Sequence, residues 1–243
     1  MIFRIMLSEV YYGDCLEYMR TIPDKHVALA LVDPPYFSGP ERRGYYGSEI
    51  STTKIQRRHY PRSEKWSVPG KEFFDELMRV SRKYVVFGCN YFDYHFHSGR
   101  IVWDKCNGQS TFSDCELAAT NLFDHVRMFK YMWNGMMQGS SIEHGDVMQG
   151  NKSKNEFRIH PTQKPVALYG WILKQYAPDG LVLDTHLGSG SSRIAAYKLG
   201  FDFIGCEWDK QYFDAQEVRF QKECLGTVVL PDGKKLRQGN LFE

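Results

Sequence analysis

Val27-Ala28-Leu29-Ala30-Leu31-Val32-Asp33-Pro34-Pro35-Tyr36 is the stretch on which the fold turns. A run of consecutive aliphatic residues without a polar interruption reads as a strand buried on both faces, the mark of a parallel sheet covered by helices. In open sheets of that kind ligands bind beyond the carboxyl ends of the strands, so Asp33 is expected to face a crevice. Pro35 has no N–H and pushes Pro34 toward an extended conformation, which keeps the Pro34 carbonyl out of a helix and free to point at a ligand. Tyr36 adds an aromatic face. A carboxylate, a rigid turn and an aromatic face together suit a flat ring that bears an amine. Read alone, Asp-Pro-Pro is also what opens a loop after a strand, so a second segment has to decide.

Outward from this strand the chain alternates strand and helix. Lys71 to Arg82 reads as a helix, with Phe73, Phe74, Leu77 and Met78 on one apolar face. A strand over Tyr84 to Cys89 follows. Arg100 to Trp103 and Glu116 to Thr120 are weaker strands, expected to pair antiparallel around the turn at Gly108. Asn121 to Phe157 shows no clear period and reads as an irregular excursion. Order returns with a helix from Pro165 to Tyr176, a short buried strand Leu181 to Asp184, and a helix Ser191 to Leu199 closed by Gly200. A strand Asp202 to Glu207 and a helix capped by Asp209 and reaching about Cys224 complete the pattern. The tail suggests a hairpin across Pro231-Asp232-Gly233. The expected architecture is α/β: a mostly parallel twisted sheet, helices on both faces, and an antiparallel edge pair.

With 243 residues and 42% hydrophobic content the chain is expected to form one domain, 1–243. The net charge of +2 excludes a general polycation. Positive charge is instead concentrated in a loop insertion at 37–70, where Arg42, Arg43, Lys54, Arg57, Arg58, Arg62 and Lys65 face only Glu41, Glu49 and Glu64. Such a run is either a solvated loop or a phosphate-contacting one. The six cysteines have irregular spacing and no Cys-x-x-Cys pair, which argues against a zinc ribbon or disulfide framework and for reduced thiols in the cytoplasm. Neither a signal peptide nor a membrane-spanning run is evident, and no metal site is indicated.

The second decisive segment is Leu181-Val182-Leu183-Asp184-Thr185-His186-Leu187-Gly188-Ser189-Gly190-Ser191-Ser192, a strand, a glycine-rich turn and a helix start of the kind that holds nucleosides. A dinucleotide fingerprint needs a third glycine, and Arg193 stands in that place. Glu207 ends the next strand, where a carboxylate accepts bonds from both ribose hydroxyls. A nucleoside without pyrophosphate fits, and S-adenosylmethionine (SAM) is one. Asp184 is either a cap for the following helix or a partner for the amino group of the methionine moiety.

With both segments in hand, the chain resembles the SAM-dependent DNA amino-methyltransferases in which the catalytic Asp-Pro-Pro-Tyr motif precedes the cofactor motif. Gly13-Asp14-Cys15-Leu16-Glu17 is similar to the family segment that holds the cofactor adenine. His160-Pro161-Thr162-Gln163-Lys164-Pro165 is similar to its His-Pro-x-x-Lys-Pro segment, whose helix packs beside the methionine end. Arg100-Ile101-Val102-Trp103-Asp104-Lys105 looks like the strand carrying its Trp-x-Lys. The resemblance implies SAM as cofactor, held by Asp14, Cys15, His160, Thr162, Lys164, Pro165, Asp184, Leu187, Gly188, Ser189, Gly190, Ser191, Glu207 and Trp208. It implies a catalytic set Asp33, Pro34, Pro35 and Tyr36, in which the Asp33 carboxylate and Pro34 carbonyl accept the two N–H groups of a flipped base and Tyr36 stacks on it. DNA is the implied partner, and many members form homodimers; Arg42, Arg43, Lys54, Arg57, Arg58 and Arg62 of the basic loop are the candidates for contact with its phosphates, with a solvated loop as the alternative. The family commonly has Pro-Phe where Thr185-His186 stands here, and residues 121–157 are short for a target-recognition region.

Asp rather than Ser at the head of the motif tilts the expected target to the N6 amine of adenine. Methyl transfer to cytosine N4 or to RNA uses the same chemistry and stays open at this point. So does a non-catalytic accessory protein that binds SAM and DNA, although the intact Asp33, Tyr36, Asp184 and Glu207 argue against it.

Overall fold

The computed structural model describes residues 6–36, 60, 63, 66–107, 113–134, 137–139, 155–229 and 235–237. Its centre is an eight-stranded sheet. In chain order the strands are β1 (Ser8–Tyr12), β2 (Val27–Val32), β3 (Ser81–Phe87), β4 (Gly99–Asp104), β5 (Cys115–Thr120), β6 (Val126–Lys130), β9 (Val182–Asp184) and β10 (Phe203–Glu207). The spatial order is β1-β10-β9-β2-β3-β5-β4-β6. Neighbours from β1 to β3 pair in parallel, β5 runs antiparallel to both β3 and β4, and β6 pairs in parallel with β4. The helices are α1 (Cys15–Thr21), α2 (Lys71–Val80), α3 (Val166–Tyr176), α4 (Ser191–Leu199) and α5 (Lys210–Leu225).

The unbroken apolar run of β2 is explained by its place in the middle of the sheet. Leu29 and Leu31 pack with Leu168, Ile172, Ala195 and Ala196 of α3 and α4. Ala30 and Val32 pack on the opposite face with Met19 of α1 and Phe73, Phe74 and Leu77 of α2. Every residue of the strand is fully buried, so both faces have to be apolar.

Topology also locates the crevice. After β2 the chain crosses through α2 to β3 on one side, and after β9 it crosses through α4 to β10 on the other. Because β2 and β9 are neighbours, with Ala30 opposite Leu183, their carboxyl ends diverge at a topological switch point where ligands bind in doubly wound sheets. Asp33 and the turn after Asp184 are thereby brought together from sequence positions far apart.

Several expectations need correction. The helix expected to reach Arg82 ends at Val80, because Ser81 already starts β3 and its hydroxyl donates to the Leu77 carbonyl at 2.6 Å. The strand expected to run to Cys89 stops at Phe87, where Gly88 takes a left-handed conformation and a 3-10 turn, Cys89–Tyr91, begins. β1 and α1 were not anticipated. Nor was the first part of the supposed irregular excursion: β6 lies at the sheet edge beyond the antiparallel β4 and β5, and β7 (Trp133–Asn134) and β8 (Met137–Gln138) form a short antiparallel pair. Most β6 side chains are exposed, the apolar Val126 and Met128 among them, so apolar and buried positions do not coincide along the strand. The tail hairpin is present as β11 (Thr227–Val229) and β12 (Lys235–Arg237). Among the described residues no helix is long and apolar enough to cross a membrane.

Gly99 opens β4 beneath the turn that follows β5. A Cβ there would lie 2.0 Å from the Phe123 carbonyl oxygen and 2.7 Å from that of Thr120, both backbone atoms that cannot swing away. Gly99→Ala is therefore expected to destabilise the fold by about 1–3 kcal/mol, the usual range for overpacking. A urea unfolding curve with a lowered midpoint and an unchanged slope is the expected reading.

Candidate active site

A cleft of about 410 Å³ opens at the carboxyl ends of β2, β9 and β10, a volume suited to a small organic ligand. Asp33, Pro34, Pro35 and Tyr36 form one wall. Asp14, Cys15, His160, Thr162, Lys164, Leu187, Gly188, Ser189, Glu207 and Trp208 also line it. Pro165, Asp184, Gly190 and Ser191 do not line it and stand behind the lining residues. Arg42, Arg43, Lys54, Arg57, Arg58 and Arg62 lie outside the described residues. The end of their loop, from Trp66 to Gly70, closes one side of the cleft.

The cofactor-type half is built from backbone caps. Asp14 caps α1 by accepting from the Leu16 N–H at 2.7 Å. The Glu207 carboxylate accepts from the N–H groups of Gly188 at 2.7 Å and Asp209 at 2.8 Å. Burial pushes Glu207 up to about 6. Asp184, 1% exposed, takes the capping role that the sequence left open: it accepts from the His186 N–H at 3.1 Å and the Ser192 hydroxyl at 2.5 Å. Burial raises it to about 7. Gly188 is left-handed at φ 51°, and the His160 ring packs 3.7 Å from where a Cβ would stand. His160 in turn meets the Tyr212 ring edge-on at 4.3 Å between centroids.

His186, the departure from the family pattern, is part of the wall. Its ring meets Phe73 edge-on at 5.3 Å, Nδ1 is 2.9 Å from the Thr185 hydroxyl, and Nε2 is 4.0 Å from the Cys15 thiol. Burial holds His186 down at about 4, so the ring is neutral near pH 7. It occupies an aromatic position while keeping polar atoms. The Cys15 thiol, raised to about 12 by burial and then by Asp14, stays protonated.

The opposite half is an ion cluster. Lys164 Nζ lies 2.5 Å from Asp33 Oδ2 and 2.9 Å from Glu116 Oε2. Lys105 contacts Glu116 Oε1, and the Tyr36 hydroxyl donates to Glu116 Oε2 at 3.2 Å. The Lys164 ammonium also lies over the rings of Tyr36 at 5.4 Å and Phe87 at 5.0 Å. Burial works against the Lys164 charge, yet the two carboxylates hold its pKa well above the ordinary lysine range. Burial likewise works against Glu116, and Lys164 and Lys105 overcome it to hold that carboxyl down at about 2. Asp33 is moved the other way: burial raises it, Lys164 opposes, and Glu116 adds to the rise. Its Oδ1 is buried and has no hydrogen-bond partner among the described residues. A buried acceptor left bare costs free energy unless a ligand supplies the donor.

Lys164, read from sequence as a cofactor contact, is thus engaged chiefly by Asp33 and Glu116. Residues missed as members of the site include Glu116, Tyr169 and Phe73. Phe73 reads from sequence as core, since its helical spacing is that of an apolar face, and Tyr169 on α3 is likewise buried. Glu116 had only one signal, a carboxylate at the start of a strand that otherwise turns apolar.

Tyr36 is held between partners. Its ring stacks on Tyr91 with centroids 4.9 Å apart and planes 14° apart. Gly88 makes this arrangement possible: a Cβ at that left-handed position, φ 68°, would lie 2.2 Å from a Tyr36 ring carbon.

The comparisons with known proteins agree with this architecture. Residues 120–218 match a family model described as DNA methylase. Over 89% of its length the chain is 25% identical to the type II methyltransferase M.HinfI of Haemophilus influenzae, covering 69% of that protein. It is also 25% identical, over 85% of its length and 94% of the relative, to the type II methyltransferase M1.MboII of Moraxella bovis. Among solved structures, the cytosine-N4-specific PvuII DNA methyltransferase superposes with a TM-score of 0.53 at 13% identity, covering 88% of this chain and 87% of that one. The chain therefore shares the α/β fold of that methyltransferase, a mostly parallel sheet with helices on both faces. Within that fold, the chain is similar over residues 120–218 to the DNA methylase family model and, over most of its length, to those two type II methyltransferases.

Gly88→Ala is expected to displace the Tyr36 ring from Tyr91 and to cost about 1–2 kcal/mol from the left-handed backbone alone. Near-UV circular dichroism reads the tyrosine packing directly. An unaltered spectrum in a folded variant would mean that Gly88 does not set the ring's position.

Proposed function

We propose that this protein transfers the methyl group of SAM to the exocyclic N6 amine of adenine in DNA. The observation that carries the reading is the unequal state of the two Asp33 oxygens. Oδ2 is pinned by Lys164 at 2.5 Å, while Oδ1 is buried at the crevice without a donor. Kinship with the DNA amino-methyltransferases supplies the class of substrate, and Asp at the head of the motif favours adenine.

The residues present fit the cofactor. Glu207 would offer a carboxylate to the ribose hydroxyls, the Gly188–Ser189 turn would let the backbone come close, and Asp14, Cys15 and Trp208, which line the same cleft, would hold the nucleoside end. SAM in this cleft supplies a strongly electrophilic methyl group on a sulfonium.

An adenine amine is a poor nucleophile because its lone pair is delocalised into the ring. Asp33 Oδ1 and the Pro34 carbonyl accept its two N–H groups and thereby orient the nitrogen lone pair toward the methyl group. Both acceptors are fixed before the base arrives, so positive charge developing on nitrogen meets negative potential that needs no rearrangement. Tyr36 offers a ring face to a base withdrawn from its stack, whose unstacking costs a few kcal/mol. The surplus amine proton leaves after transfer, with Asp33 as the nearest acceptor.

Labelled methyl transfer to unmethylated duplex DNA, followed by digestion to nucleosides, tests this reading. The expected product is N6-methyldeoxyadenosine, with Asp33→Ala slower by on the order of 10²–10³. N4-methyldeoxycytidine would overturn the adenine assignment, and transfer confined to RNA would overturn DNA as substrate.

The rate should also depend on pH with a definite sign. Asp33 acts ionised, and burial raises its pKa, so activity is expected to fall as pH drops through a midpoint above the ordinary aspartate range. No loss is expected from Lys164 on the alkaline side near neutrality, because its pKa is raised.

A further inference from the structure

We infer that Glu116 is a positioning residue for methyl transfer: from behind the cleft wall it holds Lys164 and Tyr36 in place and keeps the Lys164 charge from cancelling that of Asp33. The inference rests on the reading of Asp33 as the acceptor for the target amine. Glu116 is on β5, opposite Trp103 in the β4 register, and it does not line the cleft. Its reach is nevertheless direct. Oε2 is 2.9 Å from Lys164 Nζ and accepts the Tyr36 hydroxyl at 3.2 Å, while Oε1 meets Lys105. Of the two catalytic-wall groups, Tyr36 is therefore in direct contact with this carboxylate and Asp33 is reached through Lys164.

Charge balance explains what the contact does. Asp33 and Glu116 are negative, and Lys164 and Lys105 are positive, so the cluster is neutral. With Glu116 neutralised, Lys164 would serve Asp33 alone, Lys105 would lose its partner, and the site would carry one net positive charge. An amine that becomes cationic during transfer is disfavoured there, since charges at such distances in a buried site are weakly screened. Burial also leaves the Tyr36 hydroxyl, flanked by Glu116 and Asp33, protonated and able to donate.

Other charged and titratable groups face Asp33 as well. Lys164 precedes α3, Tyr169 lies on α3, Asp184 ends β9, Lys105 follows β4 and Tyr36 follows β2. Of these neighbours Glu116 and Lys164 act most strongly on Asp33, in opposite senses. Removing the Glu116 charge removes an effect that raises Asp33, so the acid limb of the rate profile should move to lower pH.

The experiment compares wild-type protein, Glu116→Gln and the double variant Lys105→Met with Glu116→Gln, which returns the cluster to neutrality. Glu116→Gln should lower kcat roughly ten- to a hundredfold, the size seen when the partner of a functional group is removed, with KM for SAM within about twofold. Its acid limb should shift down in pH. The double variant should recover most of the lost rate because the charge balance returns, and its acid limb should lie between those of the single variant and the wild type, because Lys105 lowers Asp33 less strongly than Glu116 raises it. A wild-type kcat in folded Glu116→Gln, an unmoved acid limb, or a folded double variant no faster than the single one would each overturn the inference. Should Glu116→Gln fail to fold, the double variant carries the test: a wild-type acid limb in it overturns the inference and a lowered one supports it. Carbon-13 titration of the Asp33 carboxyl separates the two readings. If wild-type protein transfers no methyl group, the proposed function fails, while a lower Asp33 midpoint without Glu116 still supports the charge coupling and an unchanged one refutes it.

Discussion

A carboxylate placed at the end of a strand buried on both faces is the constraint to which the rest of this site answers. Asp33 cannot be left ionised in that position without a cation, and the cation cannot come from β2 or its sheet neighbours, whose facing residues are apolar. It is delivered by Lys164, more than a hundred residues later in the chain, from the segment that leads into α3. That segment must itself be held. Gln163 accepts from the Ile159 N–H, Trp133 donates to the Gln163 carbonyl at 2.7 Å, and Glu156 accepts from the Val166 N–H at the start of α3. Arg219, 4% exposed on α5, anchors Glu156 at 3.1 Å and so links this support to the far side of the cleft.

The two halves of the cleft differ in kind. Around Gly188 and Glu207, side-chain carboxylates satisfy backbone N–H groups, which shapes a turn and leaves little net charge displayed. Around Asp33, paired ions carry the structure. The first arrangement suits a neutral nucleoside whose hydroxyls can compete for Glu207, and the second suits chemistry in which charge develops on a nitrogen. Their adjacency follows from β2 and β9 being neighbours at the switch point of the sheet.

Aromatic packing adds the third element. Tyr36 is stacked on Tyr91, lies under Lys164 and donates to Glu116, so its ring is held by an aromatic partner, a cation and its own hydroxyl. Gly88 provides the room. A ring so constrained has little conformational entropy left to lose on contact with a ligand, which is the benefit of preorganisation in binding.

By itself the sequence determined the buried strand and its terminal Asp33, the glycine turn at Gly188, the helix start at Ser191, another helix start to within one residue at Pro165, which caps α3 ahead of Val166, and the caps at Asp209 and Gly200. These are local: a β-turn, a cap or an apolar run depends on residues within a few positions of each other. β6 escaped because its side chains are exposed and only its backbone pairing makes it a strand. The tertiary structure alone decided that Asp184 caps rather than lines the cleft, that Lys164 serves Asp33, and that Glu116 stands behind both Asp33 and Tyr36. Those facts depend on strand order and on side chains meeting across 48 to 131 positions, as 116 is from 164 and 33 is from 164. No spacing rule encodes that distance, because an ion pair formed through tertiary contact leaves no periodic trace in the chain.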